Sequence, residues 1–205
     1  MGQTRKEQLL SVPSNQPFLE RAGLFFDRMS IFLINLFHMP QLSRSNYISW
    51  DECFMRMAHV IAERSKDPST QAGAVIVDQR QVALGLGYNG FPRGVDNGDF
   101  PWEREGSFLE TKYAYVCHAE ENAIYNANGA VRGGKIYCTL FPCNECAKSI
   151  IQNGISEVIF ESDKYRDVDA FVASRKMFDA AGVAYRQFVS AWANEPAGMP
   201  NFITS

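Results

Sequence analysis

The organised pattern of apolar and polar positions begins near residue 49. In SWDE, Ser49 stands where a helix N-cap does, and Glu52 three residues later completes a capping box. Trp50, Phe54, Met57, Ala58 and Ile61 then recur at the three- and four-residue spacing of an amphipathic helix. Pro68 in KDPST ends it, because proline has no N–H to continue the ladder. AGAVIVD (residues 72–78) is a short β-branched run and predicts a buried strand. VALGLGY (82–88) follows after a tight polar turn and predicts the second arm of a hairpin. NGFPRGVDNGDFPW (89–102) is rich in Gly, Pro and Asn and longer than most connections, as functional loops often are.

The second half alternates helix and strand. A helix is predicted from about Ala119, a strand over KIYCTL (135–140), and a helix from Cys143 to near Gly154. A strand over EVIFE (157–161), a helix over VDAFVASRKMFDAA (168–181) and a strand over VAYRQFV (183–189) follow. Gly154 and Gly182 supply the usual helix stop. This alternation predicts an α/β fold, with helices on both faces of a mainly parallel or mixed sheet. Residues 1–46 read as an apolar N-terminal extension, 47–189 as one domain and 190–205 as a peripheral tail.

Within the extension, LFFDRMSIFLINLF (24–37) is strongly apolar, but it is short for a membrane span and carries Asp27, Arg28 and Asn35. It lies behind a polar start and lacks a small-residue cleavage site, so a secretory signal is not expected. Lys6 occupies the position where a myristoylation signal needs Ser or Thr. The segment is read as a loosely attached helix or as a leader upstream of a start at Met39; a membrane-surface or oligomer-contact helix is the sharper alternative.

Composition changes the picture only modestly. With 46% hydrophobic and 21% charged residues and a net charge of −3, the 205-residue chain has the balance of a soluble globular protein. It lacks the basic surplus of a nucleic-acid backbone binder, so neither nucleic acid nor membrane is expected as a partner. The cysteines are five: Cys53, Cys117, Cys138, Cys143 and Cys146. Their odd number fits a reducing, cytoplasmic location better than a disulfide scaffold.

Candidate chemistry centres on PCNEC (142–146). Cys143 and Cys146, three apart at a helix start, share a face and can reach one metal ion. The helix N-terminus favours their thiolates. Upstream, His118 and Glu120 open another predicted helix in YVCHAEENAI. One imidazole and two thiolates make three protein ligands; structural zinc sites are closed by four, and catalytic ones leave a place for water. Cys117, Cys138, Cys53, His38 and His59 offer no fourth ligand at suitable spacing. Zinc in such a site lowers the pKa of bound water to about 7, and an uncoordinated Glu120 can move its protons. A lone Cys-x-x-Cys is often a structural knuckle or a redox pair. The conjunction with His-x-Glu across one predicted strand favours the catalytic reading over both.

The pair of motifs H-x-E and P-C-x-x-C resembles the zinc deaminase signature. The chain is similar to the cytidine/deoxycytidylate deaminase superfamily, and within it to the deoxycytidylate (dCMP) deaminases. RSKDPSTQAGAVIVD (64–78), GYNGFPRG (87–94), KYAYVCHAEENAI (112–124), TLFPCNECAK (139–148) and SDKYRD (162–167) carry the likeness, which spans about residues 50–189. The resemblance implies a three-layer α/β/α sandwich around a mixed five-stranded sheet. It implies hydrolytic deamination of dCMP to dUMP, feeding thymidylate synthesis, with His118, Cys143 and Cys146 holding zinc and Glu120 as the proton shuttle. It further implies substrate contacts at Asn89, Lys164 and Tyr165. Arg166, Arg93 and Lys66 are further cations for a phosphate, ranked below Lys164 because the motif contains Lys164. Many relatives are hexamers activated by dCTP and inhibited by dTTP with magnesium (Mg2+), and Gly90 and Arg93 are the matching effector positions. Glu121 departs from the pattern, which often has an apolar residue there; it places a second carboxylate near the site mouth or on the helix's exposed side. The same chemistry on free cytidine, guanine or tRNA adenosine, and a non-catalytic zinc-containing nucleotide module, are the competing readings.

Overall fold

The computed structural model describes residues 43–189. The chain divides into two compact units, Met1–Tyr47 and Ile48–Ser205; the fold below is that of the second. The apolar stretch 24–37, the proposed start at Met39 and the tail from residue 190 lie outside the described residues.

Helix α1 (Trp50–Ala62) begins as expected, with the Glu52 N–H donating to Ser49 Oγ at 3.1 Å. Strands β1 (Gly73–Val77) and β2 (Ala83–Tyr88) form an antiparallel hairpin. Its turn is held by Asp78, whose Oδ1 accepts from the N–H groups of Arg80 and Val82 at 2.8 and 2.9 Å. After the long loop come α2 (Ala119–Tyr125), β3 (Lys135–Leu140), α3 (Asn144–Gln152), β4 (Glu157–Ser162), α4 (Asp169–Ala181) and β5 (Ala184–Gln187). The order matches the hydrophobic pattern. Most bounds move by one or two residues, which is ordinary fraying; the last strand is shorter by one residue at its start and two at its end. Gly182 closes α4 in the left-handed region at φ +70.

The five strands lie in the order β2-β1-β3-β4-β5. The β1–β3 pair is antiparallel, and β3–β4 and β4–β5 are parallel, so the sheet is mixed. Every residue of β1 is buried, because helices cover both faces. Phe54, Met55 and Ala58 of α1 pack on Val75, Val77, Tyr137 and Ile159. Ala119 and Ala123 of α2, Ile150 of α3 and Phe178 of α4 pack on the opposite face, against Ala74, Ile76, Ile136 and Val158. The result is a three-layer α/β/α sandwich.

One contact places α2 for its later role. A Cβ on Gly87 of β2 would lie 2.1 Å from the Ala119 carbonyl oxygen. Only glycine lets the helix start this close to the strand.

The connection from β2 to α2 contains two short 3₁₀ turns, Phe108–Glu110 and Lys112–Ala114, which the periodicity does not signal. Aromatic rings brace it: Phe91 stacks on Trp102 with centroids 4.2 Å apart, and Phe100 on Tyr115 at 4.1 Å.

Candidate metal centre and active site

His118 and Cys143 are each the N-cap residue of a helix, α2 and α3. Both have extended backbones (ψ 161 and 177), the usual conformation of an N-cap residue, and neither side chain makes a capping hydrogen bond to its own helix. Cys146, within the first turn of α3, completes the group. His118 Nδ1 lies 3.3 Å from the Sγ of Cys143 and 3.3 Å from that of Cys146, and the three donors all lie within 4.8 Å of one another. Zinc–nitrogen and zinc–sulfur bonds of ordinary length at a tetrahedral angle put such N and S donors about 3.6 Å apart. Donor chemistry and spacing therefore both fit zinc, with three protein ligands. The three remaining cysteines stand apart from the cluster and form no disulfide: Cys53 lies on α1, Cys138 is buried in the core, and the backbone of Cys117 bridges Gly90. His59 pairs with Glu161, at 2.6 Å.

In the metal-free chain these groups share charge. Hydrogen bonding to Cys146 holds the Cys143 thiol down at about 4, and the same contact pushes Cys146 up. The hydrogen bond to Cys143 lifts the His118 imidazole to about 9. Glu120, the second residue of α2, is only 6% exposed. Burial raises its carboxyl to about 7, against the lowering influence of His118.

These groups open onto a cavity of about 500 Å³, whose wall includes Asn89, His118, Glu120, Phe141, Cys143 and Tyr165. Asn89 is buried and its carboxamide is oriented by the fold. Its Oδ1 accepts from the Ala72 N–H at 2.8 Å, and its Nδ2 donates to Asp67 Oδ2 at 3.2 Å and to the Thr70 carbonyl at 3.0 Å. Tyr165 lies beside Phe171, another wall residue, with centroids 5.4 Å apart. Lys164 is exposed and sits 4.9 Å from the Tyr165 ring centroid, outside the lining. Gly90 pairs with Cys117 through the backbone, and Arg93 donates to the Asn126 side chain; neither lines the cavity. Glu121 is half-buried and also lies off its wall.

Among the wall residues that the sequence reading did not single out are Asp67, Lys112 and Arg104. Asp67 and Lys112 form a buried ion pair, with side chains 1% and 8% exposed. Asp67 Oδ1 also accepts from the N–H groups of Ser69 and Thr70 at 2.8 and 3.2 Å. Both residues fall inside stretches quoted above, and a lysine six positions before His118 was the available signal. Their partnership spans 45 positions and leaves no local trace.

Residues 48–162 match the family described as the cytidine and deoxycytidylate deaminase zinc-binding region. Deoxycytidylate deaminases of Pongo abelii and Homo sapiens are each 53% identical to the chain over 148 residues, covering 71% of it and 83% of the relative. A crystal structure of dCMP deaminase from the cyanophage S-TIM5, in complex with dCMP and dUMP, superposes with a TM-score of 0.55. It is 25% identical and covers 69% of this chain and all of that one. The matched region holds every residue of the three-donor cluster together with Glu120, so the chain belongs to the cytidine and deoxycytidylate deaminase family and is a hydrolytic deaminase.

Proposed function

We propose that the protein deaminates dCMP to dUMP and ammonia, and so supplies a precursor of thymidylate. One observation carries the reading: buried Glu120 shares a cavity wall with His118 and Cys143 of the three-donor cluster, in a chain 53% identical to deoxycytidylate deaminases. His118, Cys143 and Cys146 hold zinc. When bound, zinc supplies a water of lowered pKa, about 7, at neutral pH.

The chain's own residues do the rest. Glu120 takes a proton from the attacking water and delivers it to N3 of cytosine as the C4–O bond forms. It then carries the second proton of that oxygen to the departing amine. The C4–N bond breaks, C4 becomes a carbonyl, and ammonia leaves. Glu120 suits this work by position: it is a buried carboxylate on the cavity wall beside His118 and Cys143 and is not one of the three donors. Asn89, held by Asp67 and Ala72, offers its remaining Oδ1 lone pair to a sugar hydroxyl. Tyr165 packs against the nucleotide from the wall, with Lys164 beside it.

The same reading extends to assembly as a homo-oligomer, a hexamer in the pattern of related enzymes, working in the cytoplasm. It also takes in dCTP as activator and dTTP with Mg2+ as inhibitor, at a site including Gly90 and Arg93. No described helix is long and apolar enough to cross a membrane.

Ammonia release from zinc-loaded protein tests it, with dCMP, CMP, deoxycytidine, cytidine and guanine offered separately, with and without dCTP or dTTP plus Mg2+. Preference for dCMP is expected. Glu120→Gln is expected to lower kcat by at least about a hundredfold while zinc content stays at the wild-type level. Turnover of a different base, or full activity in that variant, overturns the reading.

A further inference from the structure

The substrate reading requires a cation for the phosphate, and the cavity narrows the choice. Three cationic or potentially cationic side chains lie on its wall: His118, Lys112 and Arg104. His118 belongs to the metal cluster. Lys112 is buried and its charge is neutralised by Asp67. Among the described residues, Arg104 has no ion pair; its polar contact is a long one, Nε to the Tyr113 hydroxyl at 3.4 Å. The wall's remaining carboxylate towards solvent, Glu145, is paired with Lys148 at 2.6 Å and leaves Arg104 uncompensated.

Position agrees with charge. Glu120, buried, and the half-buried His118 and Cys143 mark the part of the cavity wall where C4 of the base must react. Arg104 is exposed, at the solvent end. The 5′-phosphate is the part of a nucleotide farthest from C4, and a rim site spares a dianion full desolvation. A guanidinium presents a fork of donors that matches two phosphate oxygens. The four cations singled out by the sequence lie elsewhere: Lys66, Arg93, Lys164 and Arg166 are all off the cavity wall.

We propose that Arg104 receives the 5′-phosphate and thereby sets the preference for a nucleotide over a nucleoside. The inference rests on the nucleotide reading above and names the residue responsible for it.

The test compares zinc-loaded wild type with Arg104→Ala, Arg104→Lys and Lys164→Ala on dCMP and on deoxycytidine. Loss of charge-assisted phosphate contacts is expected to lower the dCMP-to-deoxycytidine ratio of kcat/KM about tenfold to hundredfold in Arg104→Ala, mainly through KM. Arg104→Lys is expected to recover part of the ratio, as a point charge without the fork. An equal loss on both substrates makes Arg104 a structural part of its loop and overturns the assignment. A larger fall in the ratio for Lys164→Ala overturns it too. Calorimetry with dUMP and deoxyuridine separates this from failure of the substrate reading. If wild type binds dUMP more tightly and Arg104→Ala abolishes that margin, the phosphate contact stands whether or not dCMP is turned over. If wild type binds the two alike, there is no phosphate contact to assign.

Discussion

Replacing Lys112 by Met removes the ammonium from a carboxylate that has nowhere to go. The Asp67 side chain is 1% exposed and that of Lys112 8%, and both residues line the cavity. Breaking one side of a buried ion pair costs about 3–5 kcal/mol, because the surviving charge stays desolvated. Three neutral donors still reach Asp67, from Ser69, Thr70 and Asn89, at 2.8, 3.2 and 3.2 Å. They soften the loss, so the lower end, about 3 kcal/mol, is expected. An exposed pair would lose less than about 1 kcal/mol. Urea unfolding of the zinc-saturated chain distinguishes these values, provided the m-value is unchanged. Asp67→Asn and the double variant close the cycle. The double variant should be less destabilised than the two single losses summed, with a coupling of about 2 kcal/mol. A Lys112→Met loss below about 1 kcal/mol, or strict additivity, would refute the reading of Asp67 and Lys112 as a desolvated, coupled pair.

Three further expectations follow from other parts of the fold. Phe178 is fully buried, with Phe141 and Tyr185 at ring distances of 6.1 Å each, so Phe178→Ala should cost about 3–5 kcal/mol in denaturant unfolding; less than about 1 would mean the α4 layer is not packed as described. Partial desolvation pushes Glu157 up, but hydrogen bonds from Lys135 and Arg186 outweigh it and leave the folded carboxyl below its ordinary value. A carboxyl depressed by folding contributes stability above its unfolded pKa and loses it as pH falls through the folded one; Glu157→Gln should flatten the acid limb of a Tm-versus-pH curve, and an unaltered limb would count against the linkage. Removing zinc with a chelator should abolish deamination and lower Tm, both restored by zinc, because ligands brought together from α2 and α3 bind metal only when folded; an unchanged Tm would separate the metal from the fold.

Much of the architecture was legible because its signals are local. Ser49 and Glu52 announce α1, the β-branched run from residue 73 announces a strand buried on both faces, and Lys135–Leu140 emerges with the bounds its pattern predicts. The metal donors were legible for the same reason. Each of His118 and Cys143 stands at a helix start, and Cys146 follows Cys143 at a spacing that keeps both sulfurs on one face. The two 3₁₀ turns were not legible, since single turns inside an aromatic-braced loop have no period to read.

The sequence by itself therefore determined the order of elements and singled out the side chains that the fold gathers into the candidate metal cluster. Tertiary structure alone decided what surrounds them. Asp67 meets Lys112 across 45 residues, Asn89 has its amide oriented by Asp67, Thr70 and Ala72, and Arg104 comes to the cavity wall from the long connection between β2 and α2. Whether a charged residue is solvated, paired or free depends on which distant segment covers it. That is a property of packing and desolvation, and it leaves no mark on the local pattern of the chain.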